Sequence, residues 1–325
     1  MLEKVVKKRE FILLVSLVSL IIIVGLRSPR FLSMGNFRDI MDDTALLAMV
    51  AMGQFMVILI AGIDLSVGAG VALTGMSVAL LHQYYPGIPI FVIVLLSILI
   101  GFLLGSFNGI LVSLLRIPPI IVTLATMGIY RGFVALISGG RWVSAHEMSD
   151  AFRNLPRGGF LGVSNLLFVA ILCVIIFGIF LKYTRTGREI YAVGGNEIAS
   201  RYVGINLKKI KYLPFMIAGS IYGLAGLLWV ARYASAQSDT AMGFELVVIA
   251  ACVVGGVSIF GGSGTTLGVV LGVLFLGIIN NALTQIKVSP FWQMALQGLI
   301  ILVAVIVNTV MEKRTQKLVI KRRNL

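Results

Sequence analysis

Phe91–Leu115 reads FVIVLLSILIGFLLGSFNGILVSLL, a run without a charged residue. A helix needs about 20 apolar residues to cross the hydrocarbon core of a bilayer. The whole chain has this character, because 58% of its 325 residues are hydrophobic and only 12% are charged, against about a quarter in soluble proteins. We predict an all-α polytopic membrane protein with about ten transmembrane helices in a single domain, 1–325. The predicted spans are 11–27, 43–61, 66–83, 88–115, 119–138, 162–181, 212–231, 243–260, 265–286 and 290–311.

The first span resembles the apolar part of a secretory signal peptide, since basic residues from Lys4 to Arg9 precede it. The apolar run is long, however, and extends from Phe11 to Leu26. Arg27 and Arg30 follow it, without the small residues of a cleavage site. We therefore expect an uncleaved first helix.

The basic residues distinguish the two sides of the membrane. Of the 27 Lys and Arg residues, 18 fall on the side of the N-terminus, 8 on the other side or at its boundary, and Arg131 within a span. Cytoplasmic loops of membrane proteins carry such an excess. The net charge of +14 therefore reflects topology and not a nucleic-acid surface. Both termini and the polar segment Lys182–Lys211 are predicted to be cytoplasmic.

The segment Lys182–Lys211 contains the signals of one short helix. Asn196 is a suitable N-cap and Gly204 a suitable C-terminal stop. Its i,i+4 pairs are apolar or oppositely charged, namely Ile198/Tyr202, Ala199/Val203 and Glu197/Arg201. One compact amphipathic helix on the cytoplasmic side indicates a surface that holds a partner.

A motif shared by two spans predicts an inverted repeat. Span four contains Gly101, Gly105 and Asn108, followed by Arg116 and Pro119, and span nine contains Gly272, Gly277 and Asn280, followed by Lys287 and Pro290. The predicted topology places Arg116 inside and Lys287 outside, so the two copies run in opposite directions. Inverted repeats are typical of transporters that work by alternating access.

Several kinds of chemistry are disfavoured by the residues that the sequence lacks. No G-x-x-x-x-G-K-[ST] phosphate loop is present, and the glycine-rich stretch Gly261–Thr266 has no lysine. The two histidines, His82 and His146, lack metal-site spacing. Cys173 and Cys252 lie within predicted spans, where we expect them to pack in the core. We predict no metal, no cofactor and no enzymatic activity for this chain.

A few polar residues fall within or beside the spans and are candidates for contact with a solute. Asp64 and Ser66 either cap the start of span three or serve the structure in another way, or they contact the solute. Arg131 must face the bundle interior or pair with a carboxylate, unless its guanidinium reaches the interface. The neutral candidates are Asn108, Thr123, Thr126, Asn280, Asn281 and Gln285. Such a lining suits an uncharged polyol or sugar, although each residue can instead bond between helices.

The outer side has two polar loops, Gly139–Gly162 and Tyr233–Glu245. The first is the longest outer loop and carries charged and small residues. Together the loops are either a surface for a soluble partner outside or solvated connections without a partner.

Four blocks of sequence together resemble the ribose/xylose/galactoside-type permeases of bacterial ABC importers. The blocks are Gly62–Gly68 (GIDLSVG), Pro118–Gly132 (PPIIVTLATMGIYRG), Thr186–Ile205 (TGREIYAVGGNEIASRYVGI), and Gly255–Gly264 (GGVSIFGGSG) with Asn280 and Asn281. The resemblance covers nearly the whole chain. It implies a ten-helix subunit of the bacterial inner membrane. Two such subunits, identical or related, would form the pore.

The resemblance also implies partners and site residues. A cytoplasmic ATPase, which carries the ATP and Mg2+, would dock on the coupling helix, and a soluble binding protein would deliver solute from outside. The docking residues would be Asn196, Glu197, Ala199, Arg201 and Gly204. The candidate translocation path comprises Asp64, Ser66, Asn108, Thr123, Thr126, Asn280 and Asn281. Relatives transport pentoses, hexoses, methyl-pentoses or the sugar-derived autoinducer-2, so the solute stays open. The GIDLSVG stretch argues against the more distant amino-acid and nucleoside permeases.

Two other classes of function are alternatives. An ion-coupled secondary carrier without an ATPase would need a membrane-embedded charged relay, for which only Asp64 and Arg131 qualify. An intramembrane enzyme or a scaffold is the third reading. A scaffold needs no lined pore, so access of polar reagents to Asn108 and Asn280 distinguishes it from a transporter.

Overall fold

The computed structural model describes residues 2–160, 162–289, 292–293, 295–296, 298–300, 302–303 and 306. Its α-helices are α1 (Leu2–Arg27), α2 (Met34–Leu59), α3 (Val67–Tyr84), α4 (Ile90–Ser113), α5 (Pro119–Ser138), α6 (Asp150–Asn154), α7 (Asn165–Tyr183), α8 (Arg185–Gly195), α9 (Glu197–Tyr202), α10 (Leu207–Tyr233), α11 (Phe244–Val254) and α12 (Thr266–Gln285). Its strands are β1 (Val143–Ser144), β2 (Gly159–Phe160), β3 (Val163–Ser164) and β4 (Ser235–Ala236), which form two antiparallel pairs. The all-α prediction is confirmed.

Seven helices of the described chain are long and apolar enough to cross a membrane: α1, α2, α4, α5, α7, α10 and α12. The third and eighth predicted spans correspond to α3 and α11. With 11 residues, α11 is about 16 Å long, roughly half the thickness of a bilayer core. The tenth predicted span, 290–311, lies mostly outside the described residues. The multi-pass architecture is confirmed, while the number ten and the cytoplasmic termini stay predictions.

The centre of the bundle is formed by α2 and α10, and α4 lies at its periphery. Most side chains of α2 and of the second half of α10 are buried. The exposed side chains of α4 recur every three or four residues and are apolar, namely Phe91, Leu95, Leu99, Leu103, Phe107 and Ile110. An apolar stripe on the outside of a membrane bundle is the surface that contacts lipid.

Glycines allow α4 and α10 to touch through their backbones. Gly101 faces Gly223 and Gly105 faces Gly219. A Cβ added to Gly101 or Gly105 would lie 2.6 or 2.7 Å from the Cα of the glycine opposite. Small residues permit such an approach between membrane helices. The order of the contacts makes α4 antiparallel to α10.

The helix directions agree with the predicted inverted repeat. Both α10 and α12 are antiparallel to α2. The contacts that fix these directions are Gly53 with Ala218 and Gly62 with Phe215 for α2 and α10, and Gly277 with Thr44 and Asn281 with Asn36 for α12 and α2. Because α4 is also antiparallel to α10, it runs in the direction of α2 and opposite to α12. The two copies of the shared motif therefore have opposite orientations.

The chain leaves helical geometry twice between buried helices. Ile60–Ser66 connects α2 to α3, and Ala234–Gly243 connects α10 to α11. Ala61, Ala234 and Ala241 adopt positive φ angles of 58°, 50° and 54°, a conformation that is uncommon for residues with a Cβ. The surrounding packing must therefore hold both segments in place.

The two polar outer loops pair with each other above the bundle. Val143 in β1 lies opposite Ala236 in β4. His82, at the outer end of α3, shares a hydrogen bond of 2.8 Å with the Ser149 hydroxyl and stacks on Phe152, with ring centroids 4.9 Å apart. The loops therefore form one ordered layer at this end of the bundle. We call it the outer layer, because the distribution of Lys and Arg predicts that this end faces outside.

Candidate docking and translocation sites

The polar segment between α7 and α10 folds into two helices, α8 and α9, where the sequence predicted one. Asn196 joins them directly. Its backbone N–H donates to the carbonyl of Ala192 at the end of α8 (2.9 Å), and its side-chain oxygen accepts from Ala199 N–H at the start of α9 (2.9 Å). The predicted N-cap is confirmed.

Helix α8 is not predicted from the sequence, although the signal for it is present. Thr184 caps this helix by accepting from the N–H of Gly187 (3.0 Å). Gly187, Ile190 and Val193 form its buried face at three-residue spacing. Polar residues outnumber these three, so the segment resembled a loop.

The predicted C-terminal stop of α9 is confirmed. Gly204 has a φ of +82°, and its N–H donates to the carbonyl of Arg201 (3.1 Å). The N–H of Ile205 donates to the carbonyl of Ser200 (3.0 Å). This pair of bonds is the Schellman motif, which needs a residue that tolerates positive φ.

The predicted ion pair between Glu197 and Arg201 is wrong. Glu197 pairs with Lys211, whose Nζ lies 2.7 Å from both carboxylate oxygens. The partner lies on α10, so this bond fastens α9 to the next helix instead of stabilising α9 internally.

The outer surface of α9 is apolar and uncovered. Ile198 is 71% exposed, Tyr202 87% and Val203 76%. Exposed apolar residues that stand together on a protein surface mark an interaction site. The i,i+4 spacing that the sequence interpreted as helix support therefore forms a contact face.

A positively charged cleft adjoins α9. It measures about 610 Å³ and lies between α9, the start of α10 and the turn from α4 to α5. Its charged lining residues are Arg116, Glu197, Arg201, Lys208 and Lys211. Four cations against one carboxylate give this surface a positive potential.

The end of α8 packs on the end of α2. A Cβ added to Gly194 would overlap the carbonyl oxygen of Leu59, which also accepts from the N–H of Gly262 (2.9 Å). Tyr191 donates to the carbonyl of Gly264 (2.9 Å). Burial raises the pKa of Tyr191 to about 12, so its hydroxyl remains a donor at neutral pH.

Five of the predicted path residues form one buried polar cluster beside Ile60–Ser66. Asp64 accepts from the backbone N–H of Ser66 (2.8 Å) and from its hydroxyl (2.6 Å). Asn108 donates to the same hydroxyl (2.8 Å). Ser66 makes no side-chain capping bond to α3. Of the roles that the sequence left open for Asp64 and Ser66, these bonds within the cluster are a structural use.

The threonines of α5 complete this cluster. Thr123 donates to the carbonyl of Ile63 (3.0 Å) and Thr126 to that of Thr123 (3.3 Å). Tyr130, which is not among the predicted path residues, donates to the carbonyl of Leu104 (2.9 Å). Its position seven residues after Thr123, on the same face of α5, was the available signal.

The remaining two path residues lie elsewhere. Asn281 donates to the side-chain oxygen of Asn36 (3.0 Å), and Gln285 donates to the same atom (2.9 Å). Asn36 is near the first turn of α2, whereas Asp64 follows its last, so the two groups are separated by about 35 Å of helix. Asn280 precedes Asn281 on α12 and does not join the Asp64 cluster.

Arg131 satisfies its guanidinium with backbone carbonyls. It donates to Ser238 (3.0 Å) and Thr240 (2.6 Å) in the segment between α10 and α11. The sequence predicted that Arg131 faces the bundle interior or pairs with a carboxylate. Among the described residues its guanidinium instead bonds to these two backbone carbonyls.

Oppositely directed helices, unwound segments within the bundle and a helix with an exposed apolar face are together typical of the membrane subunit of a transporter. A protein-family model described as branched-chain amino acid transport system / permease component matches residues 36–305. The chain belongs to this family.

Curated relatives cover almost the full length of the chain. It is 39% identical to the ribose import permease protein of Haemophilus influenzae over 93% of both chains. It is 38% identical to the ribose import permease protein of Escherichia coli K12 over 91% of this chain and 92% of the relative. It is 33% identical to the autoinducer 2 import system permease protein of Klebsiella pneumoniae over 93% of this chain and 86% of the relative. No solved structure matches the chain.

Proposed function

We propose that this protein is the transmembrane subunit of an ATP-binding-cassette importer that moves a monosaccharide or sugar-like solute by alternating access. The observation that carries the proposal is the uncovered apolar face of α9 on a chain whose relatives are import permeases. Such a face needs a partner, and the sequence has no phosphate loop of its own.

The partner on α9 is a cytoplasmic ATPase that binds ATP and Mg2+. Docking involves Asn196, Glu197, Ala199, Arg201 and Gly204, which shape α9 and its ends. Direct contact is made by Ile198, Tyr202 and Val203. The cations of the adjoining cleft favour an acidic rim around an apolar socket on the ATPase, because complementary charge steers association.

The remaining partners follow from the same assignment. A second permease subunit completes the pore, and a solute-binding protein docks on the ordered outer layer formed by the two paired loops. The complex lies in a bacterial inner membrane. Ribose is the first solute to examine, because ribose permeases are among the most similar relatives, and autoinducer-2 is the second.

Reconstitution in liposomes tests this function. The chain, its ATPase and its binding protein together should accumulate ribose or autoinducer-2 when ATP is supplied on the cytoplasmic side. The chain alone should accumulate neither. Accumulation without the ATPase, abolished by a protonophore, would instead establish the ion-coupled carrier.

A further inference from the structure

Two helix N-termini meet at the ends of the two unwound segments. α3 begins at Val67 and α11 at Phe244. A Cβ added to Gly68 would overlap the Oε2 atom of Glu245 and lie 2.5 Å from the carbonyl oxygen of Ala241. The start of α3 is therefore in direct contact with the backbone that leads into α11.

This meeting point lies deep in the membrane. Gly70 packs on the ring of Tyr222, which stands near the middle of the 27-residue helix α10. From Gly68 to its outer end at Tyr84, α3 extends about 24 Å. Ala234–Gly243 therefore descends from the outer β1–β4 pair to the central part of the hydrocarbon layer.

Three charged side chains lie in or beside Ala234–Gly243. Arg131 holds the carbonyls of Ser238 and Thr240. The Oε2 atom of Glu245, on the first turn of α11, is buried and has no hydrogen-bond partner in the described structure. Asp239, between the two carbonyls held by Arg131, is exposed.

Lipid cannot cover this arrangement. Non-helical backbone at membrane depth is stable only when it is buried in protein or lines a water-filled cavity. Met242 is 79% exposed and Asp239 is also exposed, so the described residues of this chain leave part of the segment uncovered. A carboxylate in hydrocarbon is strongly unfavourable. The open side of Ala234–Gly243 therefore faces water, in the pore that a second permease subunit completes.

The other polar site of the bundle is closed. Asp64, Asn108 and Thr123 are fully buried, and each makes at least one hydrogen bond to a neighbouring group. The Oδ2 atom of Asp64 has no hydrogen-bond partner among the described residues. A solute that enters from outside therefore reaches Ala234–Gly243 while the Asp64 cluster is sealed.

We propose that Asp239 and Glu245 contact the solute, and that Arg131 is the positioning residue that shapes the segment around it. Carboxylate oxygens accept hydrogen bonds from hydroxyl groups, which a polyhydroxylated solute supplies in pairs. The start of a discontinuous helix near the membrane centre is also where transporters commonly bind substrate. This inference rests on the proposed function, since it locates recognition of the transported sugar.

Thiol labelling tests whether the segment faces water, independently of transport. Met242→Cys, in the assembled importer with Cys173→Ala and Cys252→Ala, should react with a charged, membrane-impermeant methanethiosulfonate added outside. Leu103→Cys is the control, because Leu103 is exposed on the apolar stripe of α4. The thiolate is the reactive form, so the control should react slower on the order of tenfold. Equal rates at the two positions would overturn the proposal.

Transport by the reconstituted importer tests the role of the carboxylates. Asp239→Asn and Glu245→Gln should each lower the ribose transported per ATP hydrolysed. They should also reduce the preference for ribose over 2-deoxyribose, which lacks one hydroxyl. Asp39→Asn is the matched control, because Asp39 is an exposed carboxylate of α2 that lies outside the two paired loops, and both quantities should stay unchanged.

If Asp239→Asn and Glu245→Gln both left the ribose transported per ATP and the preference for ribose over 2-deoxyribose unchanged, the proposed contact with the solute would be overturned. If the native importer moved neither ribose nor 2-deoxyribose while Met242→Cys still reacted, ribose as the solute would fail and the water-facing site would stand.

Discussion

Asn196 connects two helices without an intervening residue, and the side chains that follow it determine what α9 can do. Ser200 points inward and is buried, whereas Ile198, Tyr202 and Val203 project outward. A six-residue helix has little intrinsic stability. The N-cap at Asn196 and the stop at Gly204 therefore serve mainly to hold these three side chains in place.

Replacing Ile198 and Tyr202 with Asp should abolish co-purification of the ATPase with the permease. The variant places two carboxylates where we propose an apolar socket, and a buried unpaired charge is strongly unfavourable. Thermal stability should change little, because exposed substitutions usually alter the free energy of unfolding by less than about 0.5 kcal/mol. A pull-down in detergent and a melting curve measure both effects.

Arg185→Ala is the control for this experiment, since Arg185 is an exposed residue of α8 outside the proposed contact. It should retain the ATPase. Full recovery of the ATPase with the double Asp variant would contradict docking on α9.

At the scale of helices, α8 links the docking surface to the segment that carries Asp64. Its last turn packs on the carbonyl of Leu59, and Ile60–Ser66 begins at the next residue. Gly261 approaches the same place, since a Cβ there would lie 2.8 Å from the backbone nitrogen of Ala61. Movement of α8 and α9 must therefore shift the start of the unwound segment.

Two adjacent glycines allow this link to be tested. Gly194→Ala places a methyl group on the Leu59 carbonyl and should separate α8 from α2. We expect a loss of about 1–3 kcal/mol of stability, as for other overpacked sites, and ATP hydrolysis that no longer drives transport, with the ATPase still bound. Gly195→Ala meets no atom within 4 Å and should behave as the native protein. Equal transport by the two variants would show that the contact does not couple them.

For the molecule as a whole, the sequence predicted features that depend on neighbouring residues better than contacts between distant helices. Asn196 and Gly204 were assigned correctly because a cap depends on a few neighbouring residues. The partner of Glu197 was wrong because Lys211 belongs to another helix. The depth of Ala234–Gly243 was not foreseen either, because it is set by contacts with Gly68 and Arg131, which lie more than a hundred residues earlier.

The orientation of the molecule in the membrane is a further prediction. Green fluorescent protein fused after Leu325 should fluoresce, and alkaline phosphatase fused after Gly140 should be active, because the excess of Lys and Arg places the termini inside and the Gly139–Gly162 loop outside. Fluorescence and phosphatase activity in intact cells measure this. An active phosphatase fusion after Leu325 would contradict the predicted topology.

The joint between α8 and α9 has a mechanical consequence. A flexible connection between two helices would absorb part of any movement of one helix before the other helix moved. Asn196 is hydrogen-bonded to Ala192 in α8 and to Ala199 in α9. These two bonds restrict the flexibility of the connection. We therefore expect a movement of α9 to be passed to α8 and, through Gly194, to Leu59. Insertion of one glycine after Asn196 should therefore uncouple the importer, so that ATP is hydrolysed and no solute is transported.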